Sequence, residues 1–367
     1  MRFYIIAGEA SGDLHASNLV KELKRNQPDA VFRGLGGDLM QQQGVSLLEH
    51  YRHTAFMGFL EVIRNINKIF AYIDQTKKDI LSWKPDAIIL VDYPGFNLRI
   101  AEFAKQKGFK VFYYISPQLW AWKSSRVKRI KRDVDQMFVI LPFEKDFYLK
   151  WEYPVEYVGH PLMDAIEDFK SDKINFDVNK PVIALLPGSR KQEISKMLPV
   201  MLSVMDAFPD YQFATAAVSS IDKKFYTDLI GEKKCELVFN QTYSLLSQSV
   251  AAVVTSGTAT LEAALFDVPQ VVCYKGSNIS FFIGKKLVHV KYISLVNLIL
   301  DCPLVNELIQ NDFNASNLKR HLQQLLTDEN QKAYLKHGYT ELKEKIGRGG
   351  ASQKTALMIL ESMGETS

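Results

Sequence analysis

Two acids and two small-residue turns are the parts of this chain best suited to chemistry. Asp92 stands in Asp92-Tyr93-Pro94-Gly95-Phe96-Asn97, directly after an apolar run at residues 87–91. A carboxylate where a buried strand leaves the core meets a partly apolar setting, which disfavours its ionised form and raises its pKa toward that of a general base. The same Asp could instead cap the following turn or helix. Glu9 lies in Gly8-Glu9-Ala10-Ser11-Gly12-Asp13, an acid on a glycine-bearing turn after the first apolar run. That turn lacks GxGxxG spacing, so packing explains its glycines better than nucleotide binding does.

The second half carries turns of another kind. Val182-Ile183-Ala184-Leu185-Leu186 runs into Pro187-Gly188-Ser189-Arg190. A strand that ends at such a turn and continues as a helix presents free amides to an anion, and a guanidinium adds a forked donor suited to phosphate. An ordinary connection with a solvated Arg190 is the alternative. Val253-Val254-Thr255 runs likewise into Ser256-Gly257-Thr258 and then Ala259-Thr260-Leu261-Glu262. Backbone donors there could take a pyrophosphate, with Glu262 on a ribose diol, or Glu262 could serve only to complement the helix dipole.

Three further features are ambiguous by themselves. Ser116-Pro117-Gln118-Leu119-Trp120-Ala121-Trp122 leads into a basic run with Lys123, Arg126 and Arg129, which is either a solvated helix face or a contact for phosphate and lipid headgroups. Residues 59–73 carry an apolar stripe with Phe59, Ile63, Ile66 and Phe70, and Phe56 and Met57 widen it. Such a stripe ordinarily faces a core, with a lipid-receiving surface as the lesser reading. Asp133-Val134-Asp135 has the look of a metal-holding DxD, but these acids precede a strand rather than follow one, so no metal is expected.

Alternating apolar runs and helical patterns must position these residues. Residues 3–7, 31–35, 87–91, 111–115 and 136–141 read as strands, and the alternation restarts at 182–186, 212–216, 236–239, 252–255 and 270–274. Strands alternating with helices predict parallel sheets, here two doubly wound domains. With 367 residues two domains are expected. The polar stretch 167–180 separates them, giving domains 1–166 and 167–346, and residues 347–367 form a helix that could cross back to the first domain or to a partner subunit. In such sheets ligands collect beyond the carboxyl ends of the strands, which is where Glu9, Asp92, Arg190 and Ser256 fall. A formal charge of +4 does not point to nucleic acid. Cys235, Cys273 and Cys302 show no CxxC spacing, and no apolar run has the length of a membrane span or a signal h-region, so a cytosolic protein is expected.

Taken in order, Ala7-Gly8-Glu9-Ala10-Ser11-Gly12-Asp13, the Trp-Ala-Trp segment, Leu141-Pro142-Phe143-Glu144-Lys145, Val158-Gly159-His160-Pro161, Leu185 through Arg190, Ser256-Gly257-Thr258 and Ser294-Leu295-Val296-Asn297-Leu298 resemble the lipid-A-disaccharide synthase family over nearly the whole chain. The resemblance implies a GT-B fold, an α/β architecture of two Rossmann-like domains facing across a cleft. It further implies an inverting, metal-independent glycosyltransferase of lipid A (lipopolysaccharide) biosynthesis that needs no cofactor. Such an enzyme joins UDP-2,3-diacylglucosamine to 2,3-diacylglucosamine 1-phosphate, forming a β-1,6-linked disaccharide 1-phosphate and UDP. It would act peripherally at the anionic cytoplasmic face of the inner membrane, with homodimerisation through its C-terminal region as an option.

On that reading Asp92 is the base, with Glu9 its competitor or positioning partner. Gly188, Ser189, Arg190, Ser256, Gly257, Thr258, Glu262 and Asn297 hold UDP. Phe56, Met57, Phe59, Ile63, Ile66 and Phe70 meet acyl chains or membrane, and Lys123, Arg126 and Arg129 meet the acceptor phosphate or headgroups. The family commonly carries a second acid where this chain has Gly95, which puts more weight on Asp92. A UDP-sugar 2-epimerase of the same architecture is the alternative.

Overall fold

The computed structural model describes residues 1–54, 66–121, 124–167, 169–170, 172–276 and 290–364. The chain divides into two compact units, Met1–Asp164 with Arg348–Ser367, and Ala165–Gly347.

In the first unit, β1 (Arg2–Ala7), β2 (Val31–Gly36), β3 (Ser46–His50), β4 (Ala87–Val91), β5 (Lys110–Tyr114), β6 (Gln136–Val139) and β7 (Glu156–Tyr157) form one parallel sheet in the order β3-β2-β1-β4-β5-β6-β7. Every residue of β4 is buried, as a strand covered on both faces requires. Burying each of its large aliphatic side chains contributes about 1.5–3 kcal/mol. The chain winds outward from β1 to β3 and then returns across β1 to start β4. Ala7 lies opposite Val91 in the ladder, so the turns carrying Glu9 and Asp92 leave the sheet side by side at this reversal.

The second unit repeats the plan with β8 (Val182–Leu186), β9 (Gln212–Ala217), β10 (Cys235–Phe239), β11 (Ser249–Thr255), β12 (Gln270–Tyr274) and β13 (Asn306–Ile309), in the order β10-β9-β8-β11-β12-β13. Its reversal falls between β8 and β11, where Leu186 pairs with Val254. The turns after Leu186 and after Thr255 are therefore neighbours.

The helix Ala351–Ser362 belongs to the first unit, where it packs against the helix Ala10–Asn26. Asp164 holds its start, accepting from the amides of Gly350, Ala351 and Ser352. Such a carboxylate satisfies amides that a helix start leaves unpaired and complements its dipole.

Several local expectations shift. Strands β3, β7 and β13 lie toward sheet edges, and their mixed, half-buried sequences lack the apolar run that marks the interior strands. The strand expected over 136–141 stops at Val139, because the amides of Ile140 and Leu141 turn to the Glu144 carboxylate at 3.2 and 2.9 Å. Of the apolar stripe expected over 59–73, residues 59–65 lie outside the described residues and the remainder opens the helix Ile66–Trp83, whose buried residues are Ile73, Thr76 and Ile80. Asp133 pairs with Arg132 at 2.6 Å, and Asp135 accepts from the Val111 amide at 2.9 Å and pairs with Lys105. Asp135 is thus tied to the start of β5, and Asp133 to its neighbour Arg132. Among the described residues no helix is long and apolar enough to cross a membrane.

Candidate functional site

Asp92 and Tyr93 both adopt left-handed backbone, with φ of 44° and 50°. Each such non-glycine residue costs roughly 1–3 kcal/mol and persists only when its surroundings hold it. Here the hold is a set of bonds to the Asp92 backbone. Its amide donates to the Tyr114 carbonyl at 3.1 Å, and its carbonyl accepts from Asn97 Nδ2 at 2.7 Å and from the Tyr113 hydroxyl at 2.5 Å. Asn97 Nδ2 also reaches the Val91 carbonyl at 3.2 Å. The Tyr93 ring stacks on Phe96 with centroids 5.5 Å apart and lies over Gly8, where an added Cβ would stand 2.2 Å from Tyr93 Cγ. Gly8 is therefore required by close approach of an aromatic ring.

These bonds fix the Asp92 backbone and leave its carboxyl group for other work. The helix Pro94–Gln106 begins at Tyr93 with no side-chain cap, so Asp92 is not serving as its cap. Burial, reinforced by the Glu9 carboxylate, raises the Asp92 pKa from 3.8 to about 7, against an opposing bond from the Tyr93 amide. A carboxylate poised near neutrality is suited to accept a proton from a hydroxyl. Glu9, half-buried, precedes the helix Ala10–Asn26 and makes no side-chain capping bond. Asp13 of the same motif is structural, since its carboxylate takes the amides of Gly37, Leu39 and Met40 at 2.7–3.1 Å.

Around this turn the structure sorts the remaining first-unit residues. Ile66 and Phe70 are each 45% exposed at the start of their helix, so they face solvent rather than the core. Arg129 is held by Glu102 at 2.9 Å, and Arg126 stands in the 3-10 turn Ser124–Arg126. Phe56, Met57, Phe59, Ile63 and Lys123 lie outside the described residues. Glu144 of the Leu141–Lys145 segment, to which the sequence reading gave no role, is buried, and its pKa is raised to about 7 by that burial against bonds from the Leu141 amide and Ser116.

In the second unit, Gly188 has φ of 104°, and a Cβ there would stand 2.7 Å from Glu193 Oε2. This turn brings Ser189 and Arg190 to the start of the helix Lys191–Leu202, which has no side-chain cap. The neighbouring helix Thr258–Leu265 starts after Gly257, also without one. The Glu193 and Thr260 amides bond back to the Arg190 and Gly257 carbonyls at 3.0 and 3.1 Å, which leaves the earlier first-turn amides of both helices to meet an acceptor from outside the protein. The Arg190 side chain is 59% exposed, with Glu193 at 3.4 Å. An exposed pair of this kind contributes little and is readily exchanged for a better anion.

Glu262, one turn along the helix, is half-buried beside the Tyr243 hydroxyl at 3.5 Å. Burial raises its pKa to about 7, and the Tyr243 bond opposes the shift. Two residues read as nucleotide contacts have other work. The Ser256 amide donates to the Cys273 carbonyl at 2.9 Å and its hydroxyl to the Ile293 carbonyl at 2.7 Å, so both its donors are taken. Asn297 is 1% exposed, and its side chain bonds Val305 through both its amide nitrogen and its oxygen at 2.9 Å, and Glu307 at 2.9 Å. It positions its neighbours, with both amide hydrogens and one acceptor position of its side chain taken. Gly257 and Thr258 remain exposed.

Glu307 was missed by sequence reasoning. From β13 it accepts from the amides of Ile293 and Ser294 and from Asn297, fixing the carbonyl that Ser256 bonds. No local pattern marks it, because its partners come together only in the folded chain. Among the described residues no group of three His, Cys, Asp or Glu side chains could hold a metal ion.

The family model for lipid-A-disaccharide synthetase matches residues 3–361. The lipid-A-disaccharide synthase of Geobacter sulfurreducens is 38% identical, with 99% of this chain and 98% of that protein covered. That of Coxiella burnetii (strain CbuK_Q154) is 37% identical, with 97% and 96% covered. Among solved structures, a UDP-GlcNAc 2-epimerase from Neisseria meningitidis bound to UDP-GlcNAc matches with a TM-score of 0.69 at 15% identity over 98% of this chain and 100% of that one. The glycosyltransferase of kitacinnamycin matches with 0.69 at 12% identity over 99% of each chain. At such identities the likeness concerns the fold, the two-domain GT-B arrangement of glycosyltransferases and epimerases. Family match and full-length identity together identify the chain as a member of the lipid-A-disaccharide synthase family, a glycosyltransferase of lipid A biosynthesis.

Proposed function

We propose that this enzyme transfers a diacylglucosamine unit from its UDP conjugate to the 6-hydroxyl of diacylglucosamine 1-phosphate, with inversion at the anomeric carbon. The observation that carries the reading is Asp92: a carboxyl group raised to about 7 beside Glu9, on a turn whose backbone is fixed by Asn97 and Tyr113. As the hydroxyl attacks the anomeric carbon, its proton passes to the Asp92 carboxylate while the bond to the UDP oxygen breaks through an oxocarbenium-like transition state. Glu9 keeps Asp92 basic. The departing diphosphate gains charge, which Arg190 and the first-turn amides after Gly188 and Gly257 stabilise. Ser189 and Thr258 line the same turns, and Glu262 accepts from the ribose diol.

Each substrate carries acyl chains, and exposing them to water costs about 0.8 kcal/mol per methylene. The exposed Ile66 and Phe70 supply an apolar surface for those chains, together with the sequence-expected Phe56, Met57, Phe59 and Ile63. Basic residues Lys123 and Arg126 meet the acceptor phosphate or the headgroups of an anionic bilayer, so the enzyme works as a peripheral protein at the inner membrane. The reaction draws on no redox or group-carrying cofactor.

UDP release from UDP-diacylglucosamine, measured with and without the monosaccharide phosphate acceptor, tests the proposal. Release that requires the acceptor supports transfer. Interconversion of the sugar nucleotide without any acceptor would contradict it and favour an epimerase.

A further inference from the structure

We infer that Arg99 forms the subsite that reads the phosphate of the acylated acceptor. The inference rests on the acceptor proposed above and adds a residue that the motifs do not mark. Arg99 is an exposed residue of the helix Pro94–Gln106, one turn beyond Gly95, and its guanidinium donates to the Gly95 carbonyl of the Asp92 turn. The same guanidinium carbon lies 5.5 Å from the centroid of the exposed Phe70 ring. Arg99 therefore stands at the seam between the turn that carries the base and the apolar end of the helix Ile66–Trp83. An acylated sugar phosphate presents the same two chemistries side by side.

Cations gather near the seam. The one acid on the Arg99 helix, Glu102, is taken by Arg129 at 2.9 Å and Arg132 at 2.7 Å. Among the described residues no carboxylate pairs with Arg99. The helix Val127–Asp133, which Arg126 precedes, packs on the Arg99 helix. Burial and the nearby Arg129 and Arg99 cations push the Arg126 guanidinium below its usual range, and the Tyr113 hydroxyl acts the other way. That hydroxyl also bonds the Asp92 carbonyl, which ties the cations to the neighbourhood of the base. Like charges held together cost free energy that an arriving phosphate removes, and guanidinium groups meet phosphate oxygens in forked pairs. Arg129, bonded to Glu102 and to the Leu98 carbonyl, is committed elsewhere.

The test uses the full-length enzyme in detergent micelles with two acceptors, diacylglucosamine 1-phosphate and the same diacylglucosamine without phosphate. Arg99→Gln should raise KM for the phosphorylated acceptor about tenfold while KM for the UDP donor moves less than twofold. The wild-type preference for the phosphorylated acceptor should shrink by the same factor, and Arg99→Lys should recover part of it. Binding to phosphatidylglycerol vesicles, measured by sedimentation, separates the acceptor phosphate from bilayer headgroups. An unchanged acceptor KM, an equal loss with both acceptors, or a loss confined to vesicle binding would each overturn the inference. Failure of the wild type to turn over either acceptor would overturn the proposed reaction itself.

Discussion

Replacing Asp92 by Asn changes the charge of the proposed base with little change in its shape, and two independent quantities follow from its pKa. With a value near 7, the ionised fraction, and with it kcat/KM, should rise about tenfold between pH 6 and pH 8 in the wild type. Asp92→Asn should lower kcat by ~10²–10⁴ and flatten that limb. Glu9→Gln removes the like charge, so the Asp92 pKa falls and the limb moves to lower pH. Stability supplies the second readout. The folded pKa, about 7, lies above the unfolded value of 3.8, so the native state keeps this proton longer. The associated stabilisation is complete below about pH 4, is lost as pH rises through 7, and is absent above. Between pH 5 and pH 8 the loss amounts to about 2–3 kcal/mol. Asp92→Asn should remove that component, so the difference between wild type and variant should change by that amount across the window. All four tryptophans, Trp83, Trp120, Trp122 and Trp151, lie in the first unit, so urea unfolding followed by their fluorescence reports on the unit that holds Asp92. A variant that keeps a tenth or more of wild-type kcat, or a wild type whose activity is flat from pH 6 to pH 8, would refute Asp92 as the base.

The second unit offers two further tests. Arg190→Ala should lower kcat by ~10²–10³, whether or not magnesium is present, as measured by UDP release. Glu262 is raised to about 7, so UDP should bind more tightly as pH rises from 6 to 8 and the carboxylate ionises; titration calorimetry should show that dependence vanish in Glu262→Gln. In the first unit, Gly8→Ala forces a Cβ into the Tyr93 ring and should cost ~1–3 kcal/mol by urea unfolding, with a loss of kcat as the Asp92 turn shifts.

Interior strands were legible because each is a short apolar run, as β4 and β8 illustrate, with every residue buried. Of the edge strands β10 was read at 236–239, whereas β3, β7 and β13 were not, because one half-buried side leaves a mixed sequence with no distinctive period. Positions in the site divide in a similar way. The placement of Asp92, Glu9, Gly188 and Arg190 at strand ends was legible because doubly wound topology brings strand ends to the reversal point wherever the chain makes one. Roles set by distant partners were not. Asn297 looked like a nucleotide contact in its motif, yet residues eight and ten positions away consume its side chain. Tyr113 and Glu307 carry no motif at all, although one clamps the Asp92 turn and the other fixes the loop beside Ser256. Arg99 reads as a routine helix residue until Gly95 and Phe70 are seen on either side of it.

The product itself tests the central claim most directly. Purified enzyme should be given UDP-2,3-diacylglucosamine and 2,3-diacylglucosamine 1-phosphate, and the lipid fraction analysed by mass spectrometry and by proton NMR of the new anomeric centre. The expected product is a tetraacyl disaccharide monophosphate with a β linkage, formed in step with UDP. Recovery of unjoined monosaccharides, or of an α-linked disaccharide, would contradict it.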